Sequence, residues 1–203
     1  QSLALQSLSW DQLAHTVSRC TRCELHATRK QTVFGVGNLR ADWMIIGEAP
    51  GADEDLQGEP FVGRAGQLLN AMLQAIGFPR EQVYIANVLK CRPPGNRKPT
   101  ALEMAACRPW LEQQIALVDP AVILLVGATA VEGLLGIKGG ISKLRGQWRR
   151  GDSGSLEGRW LMPLFHPSYL LRHASKERGS PKWLTWHDLQ DVQRRLAQLT
   201  VPL

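Results

Sequence analysis

The chain has 203 residues, 24 Lys and Arg against 18 Asp and Glu, and a formal net charge of +6. A single domain of that length buries roughly 70% of the surface its unfolded chain exposes, so no disulfide framework is needed to hold it together. No apolar run approaches the roughly 18 residues of a membrane helix and no secretory pattern opens the sequence. The expectation is one domain over 1–203, intracellular and cytoplasmic, monomeric, with no membrane partner.

Taken in order, residues 9–17 fit a short amphipathic helix with Ser9 as N-cap and Gln12 in the capping-box position. Gly35, Gly37 and Asn38 make a turn-rich approach to a first strand at 42–46. A long loop follows, and then a helix over 66–76, with Leu68, Leu69, Met72, Leu73 and Ile76 on one face and Gly77 as its stop. A second strand at 83–89 carries Asn87 in an otherwise apolar row. The proline-rich segment 91–99 is irregular. Thr100 and Glu103 form a capping box for a helix running to about 118, with Pro120 marking its end.

Residues 122–126 are wholly apolar, as in a strand covered on both faces. A helix over 128–135 follows and Gly139-Gly140 breaks the pattern. Residues 143–160 read as a basic hairpin or loop with a mobile tip at 151–155. A last strand, 161–165, delivers His166-Pro167-Ser168 at its carboxyl end. The chain closes with an amphipathic helix over 184–199, for which Thr185 and Asp188 form a cap pair. Strands alternating with helices predict an α/β fold: a mainly parallel sheet between helical layers.

The loop between the first strand and the next helix, 47–70, is where ligands bind in such folds, because it opens beyond the carboxyl end of a strand. It holds Glu48, Asp53, Glu54 and Asp55 together with Phe61, and Gly51, Gly58, Gly63 and Gly66 allow close backbone approach. The basic net charge points to a polyanion partner. Acids concentrate at 48–59, whereas Lys and Arg crowd 92–98, 138–150 and 172–178. That distribution suits a phosphate-tracking rim around an acidic pocket.

The cysteines are Cys20, Cys23, Cys91 and Cys107: a C-x-x-C pair and two more. In an intracellular chain this set reads better as four metal thiolates than as two disulfides. Structural zinc and an iron–sulfur cluster both accept four cysteines, and four free core cysteines are the alternative.

The strings GEAPG at 47–51, PFVGRAG at 60–66, NVLKCRPP at 87–94 and FHPSYLL at 165–171 resemble the family 4 uracil-DNA glycosylases, iron–sulfur members of the wider uracil glycosylase superfamily. The resemblance runs from the first cysteine pair to the last helix. It implies a three-layer α/β/α fold with a central four-stranded, mainly parallel sheet. It also implies a monofunctional DNA-repair hydrolase that flips deoxyuridine out of single- or double-stranded DNA and cuts its N-glycosidic bond. One structural [4Fe-4S] cluster on Cys20, Cys23, Cys91 and Cys107 would order loops near the DNA.

The same resemblance implies roles for individual residues. Asn87 would read the Watson–Crick edge of the flipped base, because an amide can accept from N3–H and donate to O4. Phe61 would stack on the ring, Glu54 would lie near C5, and Glu48 and Ala49 would contact the pyrimidine. His166 would donate to uracil O2 as charge develops there. The family 1 enzymes have an aspartate at the position of Ala49, so water positioning falls to Glu48 or the loop backbone. Ser168 would approach phosphate, Leu170 or Leu171 would wedge into the base stack, and Arg172 would meet phosphate or the groove. Rival readings are a DNA-binding module without turnover, a relative that traps uracil-DNA covalently, and an unrelated nucleotide hydrolase with structural zinc.

Overall fold

The computed structural model describes residues 8–199; the ends of the expected domain, 1–7 and 200–203, lie outside the described residues. Four strands follow the apolar runs: β2 (Trp43–Gly47), β3 (Tyr84–Asn87), β4 (Val122–Val126) and β6 (Trp160–Leu164). Every residue in them except Trp160 is buried, as expected of parallel strands covered on both faces. Two edge strands of two residues each, β1 (Val36–Gly37) and β5 (Arg149–Arg150), pair antiparallel with β3 and β6. Among the described residues the sheet is therefore six-stranded, in the order β1-β3-β2-β4-β6-β5, around the expected four parallel strands. Edges this short carry too few residues to show a period in sequence.

Helices cover both faces. Met44, Ile46, Ala86, Ile123 and Leu125 point to one, against α1 (Trp10–Ser18), α4 (Ala101–Val118) and α5 (Ala128–Leu135). Ile45, Ile85, Leu124, Val126 and Leu164 point to the other, against α3 (Arg64–Ala75) and α8 (Pro181–Leu199). The alternation is the period of two that a pleated strand imposes. Both expected capping boxes form. Ser9 and Gln12 bond reciprocally at 3.3 and 2.9 Å, and Thr100 and Glu103 at 3.2 and 3.0 Å.

Three short helices complete the set: α2 (Ala52–Gln57), α6 (Ile141–Leu144) and α7 (Pro167–Arg172). The first lies inside what the sequence reads as loop; Glu54 reaches back to the Gly51 amide at 3.3 Å and closes its first turn. The last helix starts earlier than expected, which removes the cap pair. Ser180 and Pro181 open it, Leu184 N–H bonding Ser180 O at 2.9 Å, a placement that suits proline's fixed φ. Thr185 instead donates to Pro181 O inside the helix, and Asp188 is buried against Arg145.

The register decides what meets at the carboxyl end of the sheet. Gly47 lies opposite Asn87 and Val126 opposite Leu164. The chain runs from β2 outward to β3 and then returns to the other side of β2 as β4, so a crevice opens where the direction of winding changes. The loops carrying Phe61 and His166 close over it.

Candidate active site

The crevice contains a cavity of about 280 Å³ whose lining includes Ala49, Glu54, Phe61, Asn87, Asn96 and His166. That volume is at the low end for small-molecule sites and suits a single-ring base. The fold brings Asn87 and His166, far apart in sequence, to one cavity.

Asn87 is the last residue of β3 and is 3% exposed, yet no described residue hydrogen-bonds its side-chain amide. The amide lines the cavity, where it is open to pair with a ligand. Glycine at 47 makes room for it. A methyl carbon there would lie 2.6 Å from Asn87 Oδ1 and 2.6 Å from Phe61 Cζ. Gly47→Ala should therefore displace both side chains and lower the single-turnover rate on the substrate the sequence resemblance implies, a uracil-containing oligonucleotide, by about 10²-fold, the usual penalty for a 1 Å misplacement. An unchanged rate would show that the two groups are not held by this contact.

Phe61 adopts φ 53°, a left-handed conformation that costs a non-glycine residue of order 1–3 kcal/mol. Its carbonyl sits where a side chain on Gly66 would be, 1.9 Å from the position of that carbon. Its ring stacks on the His166 imidazole with centroids 5.7 Å apart.

His166 caps α7: its Nδ1 accepts from the Ser168 amide at 3.1 Å, with Ser168 Oγ at 2.7 Å. An Nδ1 that accepts leaves the proton of a neutral imidazole on Nε2, the donor needed in the cavity. Burial, with repulsion from Arg172 as the smaller cause, lowers its pKa to about 4. The sign follows from the lowered value. The neutral ring's contribution to stability is complete above the ordinary pKa of about 6.5 and is lost as pH falls through about 4. Turnover should accordingly be flat between about pH 5 and 8 in a single-turnover pH profile, with an acid limb near 4. A half-maximal point near 6.5 would contradict this.

The acidic residues divide. One oxygen of Glu54, Oε2, is buried with no hydrogen-bond partner and lines the inner cavity. Glu48 lines only the adjoining outer groove of about 450 Å³, together with His166, Ser168, Tyr169, Arg172, Pro93, Asn96 and Arg97. Ala49 reaches both spaces and brings no carboxylate. Asp55 turns away, 2% exposed, to accept from the Lys30 and Gln31 amides at 2.9 and 3.4 Å.

On α7, Ser168 faces His166 through both its amide and its hydroxyl, which commits the group expected at phosphate to holding the imidazole. Of the two leucines expected as the wedge, Leu170 is 2% exposed and belongs to the packing, whereas Leu171 is half-buried; Arg172 is exposed.

Cys20, Cys23, Cys91 and Cys107 line one cavity formed by the segment 20–29, residues 90–91 after β3 and α4. Their sulfurs meet donors. Arg29 Nη1 lies 3.3 Å from Cys91 Sγ, Trp110 Nε1 lies 3.3 Å from Cys20 Sγ, and the Lys90 amide lies 3.3 Å from Cys107 Sγ. Lys90 is 1% exposed, and its ammonium bonds the Asn87 carbonyl at 3.0 Å without a carboxylate partner. A buried ammonium needs compensating charge, which Cys91 and Cys107 are placed to give once a bound metal holds them as thiolates. Among the described residues no three of His, Cys, Asp or Glu are drawn together to hold a single metal ion. Burial raises the thiols, that of Cys107 to about 11, so a metal must displace protons to bind here.

Sequence reasoning missed Lys90, Arg29, Asn96 and the role of Ser168 toward His166. A lysine interrupting the apolar row before Cys91 was the visible signal for the first.

The family model described as "Uracil DNA glycosylase superfamily" matches residues 34–190. The chain is 47% identical to a type-4 uracil-DNA glycosylase of Thermotoga maritima over 81% of this chain and 84% of that protein. It is 40% identical to one of Pyrobaculum aerophilum over 79% of this chain and 83% of that protein. With one of Archaeoglobus fulgidus it shares 50% identity over 61% and 62%. The convergence of an unpaired amide, an Nε2–H imidazole and four thiols on one α/β frame agrees with those likenesses, and the chain belongs to the uracil DNA glycosylase superfamily, among its type-4 members.

Proposed function

We propose that the protein is a uracil-DNA glycosylase: it hydrolyses the N-glycosidic bond of deoxyuridine in DNA, releasing uracil and leaving an abasic site. The observation that carries this reading is the pairing of the partnerless Asn87 amide with the neutral His166 donor in a cavity sized for one base.

A base inside a duplex cannot enter that cavity, so the nucleotide is flipped out. Asn87 Oδ1 accepts from N3–H and its NH₂ donates to O4, Phe61 stacks on the ring, and Glu54 lies toward C5, where the methyl group of thymine would meet it. As the bond from C1′ to N1 breaks, the electron pair passes to the uracil ring and its charge grows on O2. His166 Nε2–H, already oriented by Ser168, meets it there without reorganisation. Water attacks C1′ and loses its proton to the solvent-connected groove, positioned by Glu48 or the loop backbone. Arg172 and Arg97, the latter held by Glu103, line the groove and take phosphates, and Leu171 fills the gap left by the extruded base.

The four thiols fit an iron–sulfur cluster, in this reading [4Fe-4S]: they share one cavity lined also by the buried Lys90, and three of them receive N–H donors. When bound it would cross-link the segment 20–23, α4 and the segment after β3, and so would fix the basic loop 92–98 beside the groove. The chain's own residues make all contacts to the base.

Incubation with a uracil-containing single-stranded oligonucleotide followed by alkali tests the reading. Strand scission at the uracil is the expected result. A stable covalent adduct would indicate the trapping chemistry instead, and an unmodified strand would indicate binding without turnover.

A further inference from the structure

Arg80 stands outside the cavity, on the turn Arg80–Gln82 between α3 and β3, and it contacts neither the space for the base nor the cysteines. Its guanidinium is half-buried and converges on one stretch of the pocket loop. Nη1 donates to Phe61 O at 3.0 Å and to Asn70 Oδ1 at 3.2 Å, and Nη2 donates to Pro60 O. Two consecutive carbonyls are thus gripped by one planar fork, a geometry that lysine with its single ammonium cannot copy.

The residue so gripped is the one whose backbone is least comfortable. Phe61 has positive φ, its carbonyl passes over Gly66 where no side chain fits, and its ring rests against Gly47 and His166. Released from the fork, that peptide would relax toward an ordinary conformation and carry the ring with it. We infer that Arg80 is a positioning residue for base recognition: it locks the Pro60-Phe61 peptides so that the Phe61 ring forms the wall against which the flipped base and His166 are aligned. This rests on the reading of the site as a uracil pocket.

The test compares the whole protein with Arg80→Met and Arg80→Lys, reading single-turnover uracil release, inhibition by free uracil, and affinity for an oligonucleotide without uracil. Both variants should bind uracil-free DNA like the parent. Release should fall by about 10²-fold in Arg80→Met, with a parallel loss of inhibition by uracil, and added guanidinium ion should restore part of it; Arg80→Lys should fall between. A folded Arg80→Met with parental release overturns the inference, as does an equal loss of release and of affinity for uracil-free DNA. Should Arg80→Met not fold, Arg80→Lys decides by the same criteria. A parent protein that releases no uracil refutes the uracil-pocket reading, and with it this inference; an active parent with fully active variants refutes only the role of Arg80.

Discussion

His166→Ala should lower single-turnover uracil release by about 10²–10³-fold while leaving affinity for uracil-containing DNA nearly unchanged, since one preorganised donor to a developing negative charge is worth that much. The separation of the two effects is the point. The imidazole is half-buried and its Nδ1 is occupied by Ser168, so in the proposed mechanism the proton of the neutral ring sits on Nε2 and its interaction strengthens only as charge reaches O2. A group that merely shaped the cavity would reduce affinity and rate together. Kinetics under single-turnover conditions with a parallel binding titration make the distinction, and equal losses would reject the donor role. Loss of the Phe61 stack also makes some destabilisation expected, so the rate is read well below the unfolding temperature.

Cys107→Ser should be the most damaging single change for the fold. Cys107 is 8% exposed in α4, and its sulfur accepts from the Lys90 amide next to an ammonium with no carboxylate beside it. A serine hydroxyl is a poor ligand for iron and remains neutral, so the variant loses a cross-link between α4 and the segment after β3 and leaves a buried cation poorly compensated. Removing one partner of a buried charged pair costs about 3–5 kcal/mol, and metal binding free energy is itself folding free energy. The parent, purified without oxygen, should be brown with the broad visible absorption of thiolate-bound iron. The variant should be pale, iron-poor and unfold at much lower denaturant. A colourless, zinc-loaded parent, or a variant of equal stability, would overturn the assignment of the quartet to a cluster.

Which parts were legible in sequence has a physical pattern. The four parallel strands were readable because strands buried on both faces must be apolar throughout, and Asn87 stood out as the polar residue in such a row. His166 was readable through its motif at a strand end. The two-residue edges β1 and β5 were not, because they have no periodicity, and α2 was hidden because its acidic, glycine-flanked sequence carries no apolar stripe. The split between Leu170 and Leu171 was equally hidden: adjacent helical residues differ by a rotation that only the packing of α7 fixes. Arg80 and Lys90 act through backbone carbonyls, and a carbonyl has no sequence signature. The start of α8 was misplaced because Thr185 and Asp188 mimic a cap pair, while Ser180 and Pro181 do the work.

The most direct measurement is a structure of the protein with free uracil bound. The account predicts the ring in the cavity beyond Gly47, the Asn87 amide paired with N3–H and O4, and His166 Nε2 within hydrogen-bond distance of O2. Uracil seated elsewhere, or held with O2 away from His166 and its N3 edge away from Asn87, would contradict it.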